Sequence, residues 1–116
     1  MVIKTKRIYE PATKTDGYRI LVDRLWPRGM KKEAAQIDEW MKEVAPSTAL
    51  RKWFNHEPEK WEEFVTKYKA ELQDADAFKV LLAAVAGHKT VTLLYAAKDE
   101  LYNQAIALSN FLKSNK

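Results

Sequence analysis

The segment Thr90-Val91-Thr92-Leu93-Leu94-Tyr95-Ala96 does most to limit how this chain can fold. It is β-branched and apolar along its length, and Gly87-His88-Lys89 bounds it on one side. A strand without strict alternation is apolar on both faces, so both faces need cover. Tyr18 to Trp26 reads the same way: Ile20, Leu21 and Val22 form an apolar centre, and Pro27 and Gly29 break the pattern. Val2 to Tyr9 is a third β-prone stretch. Glu10 to Gly17, with Pro11, Asp16 and Gly17, is a turn region. It falls short of the dozen or so residues that a helical crossover between parallel neighbours requires. The first two strands are therefore antiparallel or not adjacent.

Helical spacing fills the rest. Ile37, Trp40, Met41 and Val44 recur at i, i+3, i+4 and i+7, which predicts a helix ended by Pro46. Ser47 is placed to cap a short helix whose buried side is Leu50, Trp53 and Phe54. Pro58 suits the first position of the next helix, with Trp61, Phe64, Val65, Tyr68 and Leu72 on its inner face. Phe78, Leu81, Leu82 and Val85 predict another helix, stopped by Gly87 as a left-handed cap. Asp99 is placed to cap a last helix carrying Leu101, Ala105, Leu108 and Leu112. The tryptophans fall at helical core positions or at the Trp26-Pro27 corner. The order of elements predicts an α/β domain over residues 1–116: three to four strands, mixed or mostly parallel, packed with four to five helices.

Composition narrows the classes. Of 116 residues, 47% are hydrophobic and 31% charged, which supports a packed core and excludes a disordered chain. No apolar run approaches the ~18 residues of a membrane span. The N-terminus lacks the apolar region and cleavage site of a secretory signal, so a cytoplasmic location is expected. Cysteine is absent, which removes disulfides, thiolate nucleophiles and thiolate metal sites. His56 and His88 are isolated, and their spacing supports no metal site. No glycine-rich phosphate loop is present, and nothing in the motifs requires a cofactor.

The net charge of +4 is concentrated at one end. Through Arg28 there are seven Lys and Arg against three Asp and Glu, and the remainder is balanced. Four of the five arginines lie there; the fifth is Arg51. Arginine is the better residue for holding a planar anion bidentately, although the same residues suit a structural arginine–carboxylate network.

Two strand ends carry the polar chemistry: Asp23-Arg24-Leu25-Trp26-Pro27-Arg28-Gly29, and Tyr95-Ala96-Ala97-Lys98-Asp99 with Asn103. Ligands of open α/β sheets sit outside the carboxyl ends of the strands. The expectation is a polar pocket for an anionic small molecule, with Asp23 as general acid or base. Arg7, Arg24, Arg28, Arg51, His56, Tyr95, Asp99 and Asn103 are the candidate ligand-binding residues. Each has a structural alternative: Asp23 a buried carboxylate paired with Arg24, Arg28 or Arg7, Asp99 a helix cap, Asn103 a tie between helix and strand end, His56 a surface or capping imidazole.

These strings resemble a family. Arg7-Ile8-Tyr9-Glu10-Pro11, Asp16 through Gly29, Ala45-Pro46-Ser47, Leu50 through Phe54, and Leu93 through Asp99 are similar to the short, YeaO-like branch of domain of unknown function 488. The Asp-Arg-Leu-Trp-Pro-Arg-Gly string is specific to it, and the likeness runs over nearly the whole chain. The resemblance implies a small prokaryotic, cytoplasmic α/β protein and implies no reaction. The branch often carries a histidine where this chain has Tyr102, and a longer branch carries a cysteine at the third strand's end, where Tyr95 and Ala96 stand here.

Three functions remain open. One is a small enzyme acting on a nucleotide or phosphorylated metabolite. The second is a ligand-binding or regulatory module that uses the same pocket without turnover. The third is a nucleic-acid binder, which the small charge excess and the lack of any recognised motif argue against. Oligomeric state is not legible.

Overall fold

The computed structural model describes residues 2–114. Four strands, β1 (Val2–Arg7), β2 (Tyr18–Leu21), β3 (Glu39–Trp40) and β4 (Thr90–Tyr95), form one parallel sheet in the order β1-β4-β2-β3. Five helices accompany them: α1 (Lys32–Ala35), α2 (Thr48–Phe54), α3 (Trp61–Leu72), α4 (Asp76–Ala86) and α5 (Gln104–Ser114). The fold is α/β. The first two strands are not adjacent, because β4 inserts between them and pairs with both.

The apolar run of β4 is buried on both sides, as its composition requires. Val91, Leu93 and Tyr95 face a large core with Ile3, Ile20 and Val22, covered by α3, α4 and α5. Leu94 faces the other way and joins Leu21, Ile8 and Ala35 in a smaller core under the segment that contains α1. The short β1–β2 connection crosses this second face and is pinned by Asp16. The Asp16 carboxylate accepts from Arg19 at 2.6 Å, Lys6 at 3.2 Å and the Thr13 amide at 3.0 Å. Burial by itself would raise its carboxyl, but the hydrogen bonds from Thr13, Lys6 and Arg19 outweigh it and hold the pKa at about 2. Arg19 is only 4% exposed and also donates to the Ala35 and Gln36 carbonyls.

Several local expectations are corrected. Residues 37–44 are not a helix. The amides of Asp38 and Met41 donate to Arg19 and Leu21 carbonyls of β2, so this segment joins the sheet edge as β3 followed by a 3-10 turn at Lys42–Val44. Met41 and Val44 are buried at helical spacing without a helix, and Trp40 is a half-exposed edge residue rather than core. Strands β1 and β2 end earlier than expected, at Arg7 and Leu21. Gly87 ends α4 in the right-handed region, φ −83° and ψ −1°. Its amide bonds the Ala83 and Ala84 carbonyls, so no left-handed residue is needed. The last helix starts five residues after Asp99. Leu101 lies before it and is 70% exposed, while Ala105, Leu108, Phe111 and Leu112 form the inner stripe. Ser47 does cap α2, accepting from the Leu50 amide at 3.1 Å. Among the described residues, no helix is long and apolar enough to cross a membrane.

Candidate functional site

A parallel sheet brings all its carboxyl ends to one edge. Here the chain leaves β2 toward the face covered by α1 and leaves β4 toward the face covered by α5. The gap between the ends of β2 and β4 is therefore a topological switch point, where open α/β sheets leave a crevice. A cavity of about 300 Å³ lies there. Asp23 to Arg28 supply one wall from the end of β2, and Ala96 and Ala97 another from the end of β4. Ala45 and Pro46 follow β3; Arg51, Phe54 and His56 come from α2 and its end; Asn103 and Gln104 open α5. Tyr9, Phe64 and Tyr102 complete an aromatic lining with Trp26 and Phe54.

Asp23 bridges the switch point. Its carboxylate accepts from the Ala96 amide at 2.8 Å and from the side-chain amide of Gln104. Burial raises its carboxyl to about 6, against the lowering influence of the Ala96 amide, the Gln104 amide and the Arg51 charge. The expectation of an arginine hydrogen-bonded to Asp23 is corrected: the two oxygens take neutral donors instead. Short sequence distance misled here, because Arg24 turns away to donate to the Ala45 and Pro46 carbonyls at 3.1 and 3.3 Å.

The remaining candidates divide. Arg24, Arg28, Arg51, His56 and Asn103 line the cavity with Asp23; Arg7, Tyr95 and Asp99 do not. Arg7 straps the end of β4 from behind, donating to the Ala97 carbonyl at 2.9 Å and the Ala96 carbonyl at 3.0 Å. It thus holds the two carbonyls that follow the Tyr95–Ala96 peptide, whose N–H meets Asp23. Tyr95 is core, and burial raises its phenol above the ordinary range. Asp99 accepts from the Leu101 and Tyr102 amides in a turn. The cap of α5 is Asn103, whose side-chain oxygen accepts from the Ile106 amide at 3.0 Å while its nitrogen donates to the Asp99 carbonyl.

Arg28 and Arg51 are exposed, and among the described residues no carboxylate is hydrogen-bonded to either. Asn55 and His56 both hold left-handed backbone, φ 47° and 54°, which ends α2 abruptly and sets the imidazole on the cavity wall. Such non-glycine conformations are costly and tend to gather at functional sites. Gln104 was invisible in the sequence: it lies 81 residues from Asp23, and only the fold of α5 against β4 brings them together. His88, read as a loop residue, stacks on Tyr18 with ring centroids 3.9 Å apart, at the opposite end of the sheet. Among the described residues, no group of three or more His, Cys, Asp or Glu is placed to hold a metal ion.

A family described as "Inactive DUF488-N3 subclade" matches residues 2–116. The chain is 48% identical to the uncharacterized protein YeaO of Escherichia coli K12 over 114 residues, 98% of this chain and 99% of that one. It is 37% identical to the uncharacterized protein Rv3073c of Mycobacterium tuberculosis over 110 residues, 95% of this chain and 92% of that one. No solved structure matches.

Proposed function

The chain belongs to the DUF488-N3 family, in the subclade described as inactive, and from that premise we propose that its strand-end cavity binds an anionic small molecule, a nucleotide or phosphorylated metabolite, without turning it over. The observation that carries this reading is the charge arrangement. Arg28 and Arg51 reach the cavity with no carboxylate hydrogen-bonded to them among the described residues, and Arg24 adds a third cation held against backbone carbonyls. Among the described residues Asp23 is the one carboxylate of the lining, and its hydrogen bonds come from neutral donors. Two lining arginines with no carboxylate hydrogen-bonded to them leave their planar forks available to an oxyanion. Among the described residues the lining holds no serine, threonine, lysine or cysteine as a nucleophile, and the description of the subclade points the same way.

A second reading keeps catalysis. A carboxyl near pKa 6 in a desolvated cavity is suited to proton transfer, and Asp23 has that property.

Titration calorimetry with nucleoside monophosphates tests binding. Arg28→Ala and Arg51→Ala are expected each to weaken affinity at least tenfold, since a charge-assisted hydrogen bond contributes about 1.5–3 kcal/mol. Affinity equal in both variants and the parent would refute the proposal. Phosphorus NMR of the same mixtures decides between the readings: an unchanged ligand spectrum over hours supports binding alone, and a new resonance that disappears with Asp23→Asn supports the enzyme.

A further inference from the structure

The cavity has two chemically distinct ends, and together they describe a ligand more narrowly than its charge does. We infer that the anion is a nucleoside monophosphate whose base presents two adjacent N–H donors to Asp23, as guanine does, with its phosphate toward Arg28 and Arg51; this deepens the anion-binding reading above and rests on it.

Asp23 defines the inner end. A carboxylate accepts about four hydrogen bonds, two on each oxygen. One oxygen takes the Ala96 amide and the other the Gln104 amide, so each retains acceptor capacity. Among the described residues no arginine or lysine is hydrogen-bonded to it, although the Arg51 charge acts on it from a distance. A largely buried carboxylate with one hydrogen bond on each oxygen can take one further donor on each, so it is matched by two parallel N–H donors. It is mismatched by an edge that offers an acceptor beside a donor, because two acceptors then face each other without water. Guanine has the first pattern, in its ring N1–H and the adjacent 2-amino group. Adenine has the second, and hypoxanthine has only one of the two donors.

The space between is built for a flat ring. Trp26, Phe54, Phe64 and Tyr102 line it. Aromatic walls hold a base by stacking whatever its identity, so selection falls to the polar group at the end. The cavity volume of about 300 Å³ is at the small end of ligand pockets, which suits a monophosphate. Arg28 and Arg51 are exposed and offer their charge to a phosphate at the solvent side, Arg51 near enough that its charge also acts on Asp23.

The experiment compares GMP, IMP, AMP and ribose 5-phosphate by calorimetry against the parent chain, Asp23→Asn and the double variant Arg28→Ala/Arg51→Ala. The expected result is GMP tightest, with IMP, AMP and ribose 5-phosphate each at least tenfold weaker. Asp23→Asn should cost GMP at least tenfold and leave ribose 5-phosphate unchanged. Gln104→Ala is a second route to the same end, loosening the carboxylate without removing it, and should narrow the GMP-to-AMP ratio. If AMP or ribose 5-phosphate binds as tightly as GMP, and all are lost in the arginine double variant, the base assignment is overturned while the anion pocket stands. If no phosphate compound binds the parent chain, the anion reading itself is overturned.

Discussion

At the residue scale, Asp23 and Arg28 behave in opposite ways. The native fold raises the Asp23 carboxyl to about 6, so ionising it costs more in the folded chain than in the unfolded one. Its contribution to stability is therefore most favourable below the unfolded value and declines as pH rises from about 4 to about 6. The penalty above that window is on the order of 2 kcal/mol. Asp23→Asn keeps an acceptor for the Ala96 amide and carries no charge, and Gln104 can turn its own oxygen toward the new amide. In urea unfolding the variant is expected to match the parent near pH 4 and to exceed it by about 1–2 kcal/mol at pH 8. Arg28 contributes only its backbone carbonyl to the fold, which accepts from the Tyr9 hydroxyl at 2.9 Å. Arg28→Ala keeps that bond and should shift stability by less than about 1 kcal/mol. A larger loss in the same unfolding curves would make the arginine structural.

Two glycines with left-handed φ give a sharper contrast. At Gly17, φ +66°, an added Cβ would lie 2.3 Å from the Thr90 carbonyl oxygen, which is backbone and already fixed in the sheet. At Gly29, φ +76°, nothing lies within 4 Å. Gly29→Ala therefore meets only the conformational cost of about 1 kcal/mol, whereas Gly17→Ala must also part β2 from the start of β4 and should cost several times that. Thermal melts of the two variants check the difference, and equal losses would contradict it.

At the scale of elements, the β1–β2 connection depends on a buried ionic cluster. Asp16 gathers Lys6, Arg19 and the Thr13 amide, and the Thr92 hydroxyl of β4 donates to the Asp16 carbonyl at 2.6 Å. Because its carboxyl is held at about 2, below the unfolded value, its contribution is complete above about pH 4 and is lost as pH falls toward 2. Acid unfolding of the parent should steepen across that window, and Asp16→Asn should remove the steep part at the expense of stability at neutral pH. Arg19→Ala removes one of the two cationic partners of the buried Asp16 and two donors to carbonyls, so a loss of about 3 kcal/mol is expected. The same scale explains where periodicity misleads. Ile37, Trp40, Met41 and Val44 have helical spacing, yet Asp38 and Met41 give their amides to β2. The sheet edge outcompetes a helix that would have to start from nothing. Local spacing has no information about that open edge.

At the scale of the molecule, the long-range arrangement was legible only in part. The continuous apolar character of Thr90–Tyr95 required cover on two faces, and the short Glu10–Gly17 connection excluded a parallel neighbour for β1 in β2; both follow from chain length and side-chain chemistry. That β4 fills the gap is a tertiary fact, set by which strand completes the core. The cluster Asp23–Arg28 is visible as a strand end broken by Pro27 and Gly29, and its meeting with Asn103 follows from the parallel sheet, which puts β2 and β4 ends together. Gln104 and the aromatic lining from α2 and α3 were not legible, because their positions depend on how helices pack across the crevice.

The central claim is that this crevice is the anion site, and amide chemical-shift mapping with GMP tests it most directly. The amides expected to be perturbed are those of Asp23 to Trp26, Arg28, Gly29, Arg51 to His56, Ala96, Ala97 and Gln104, with Gly17, His88 and Thr90 at the opposite end of the sheet unmoved. Perturbations that instead follow the exposed lysines, such as Lys4, Lys14 and Lys89, or that are absent at millimolar ligand, would contradict it.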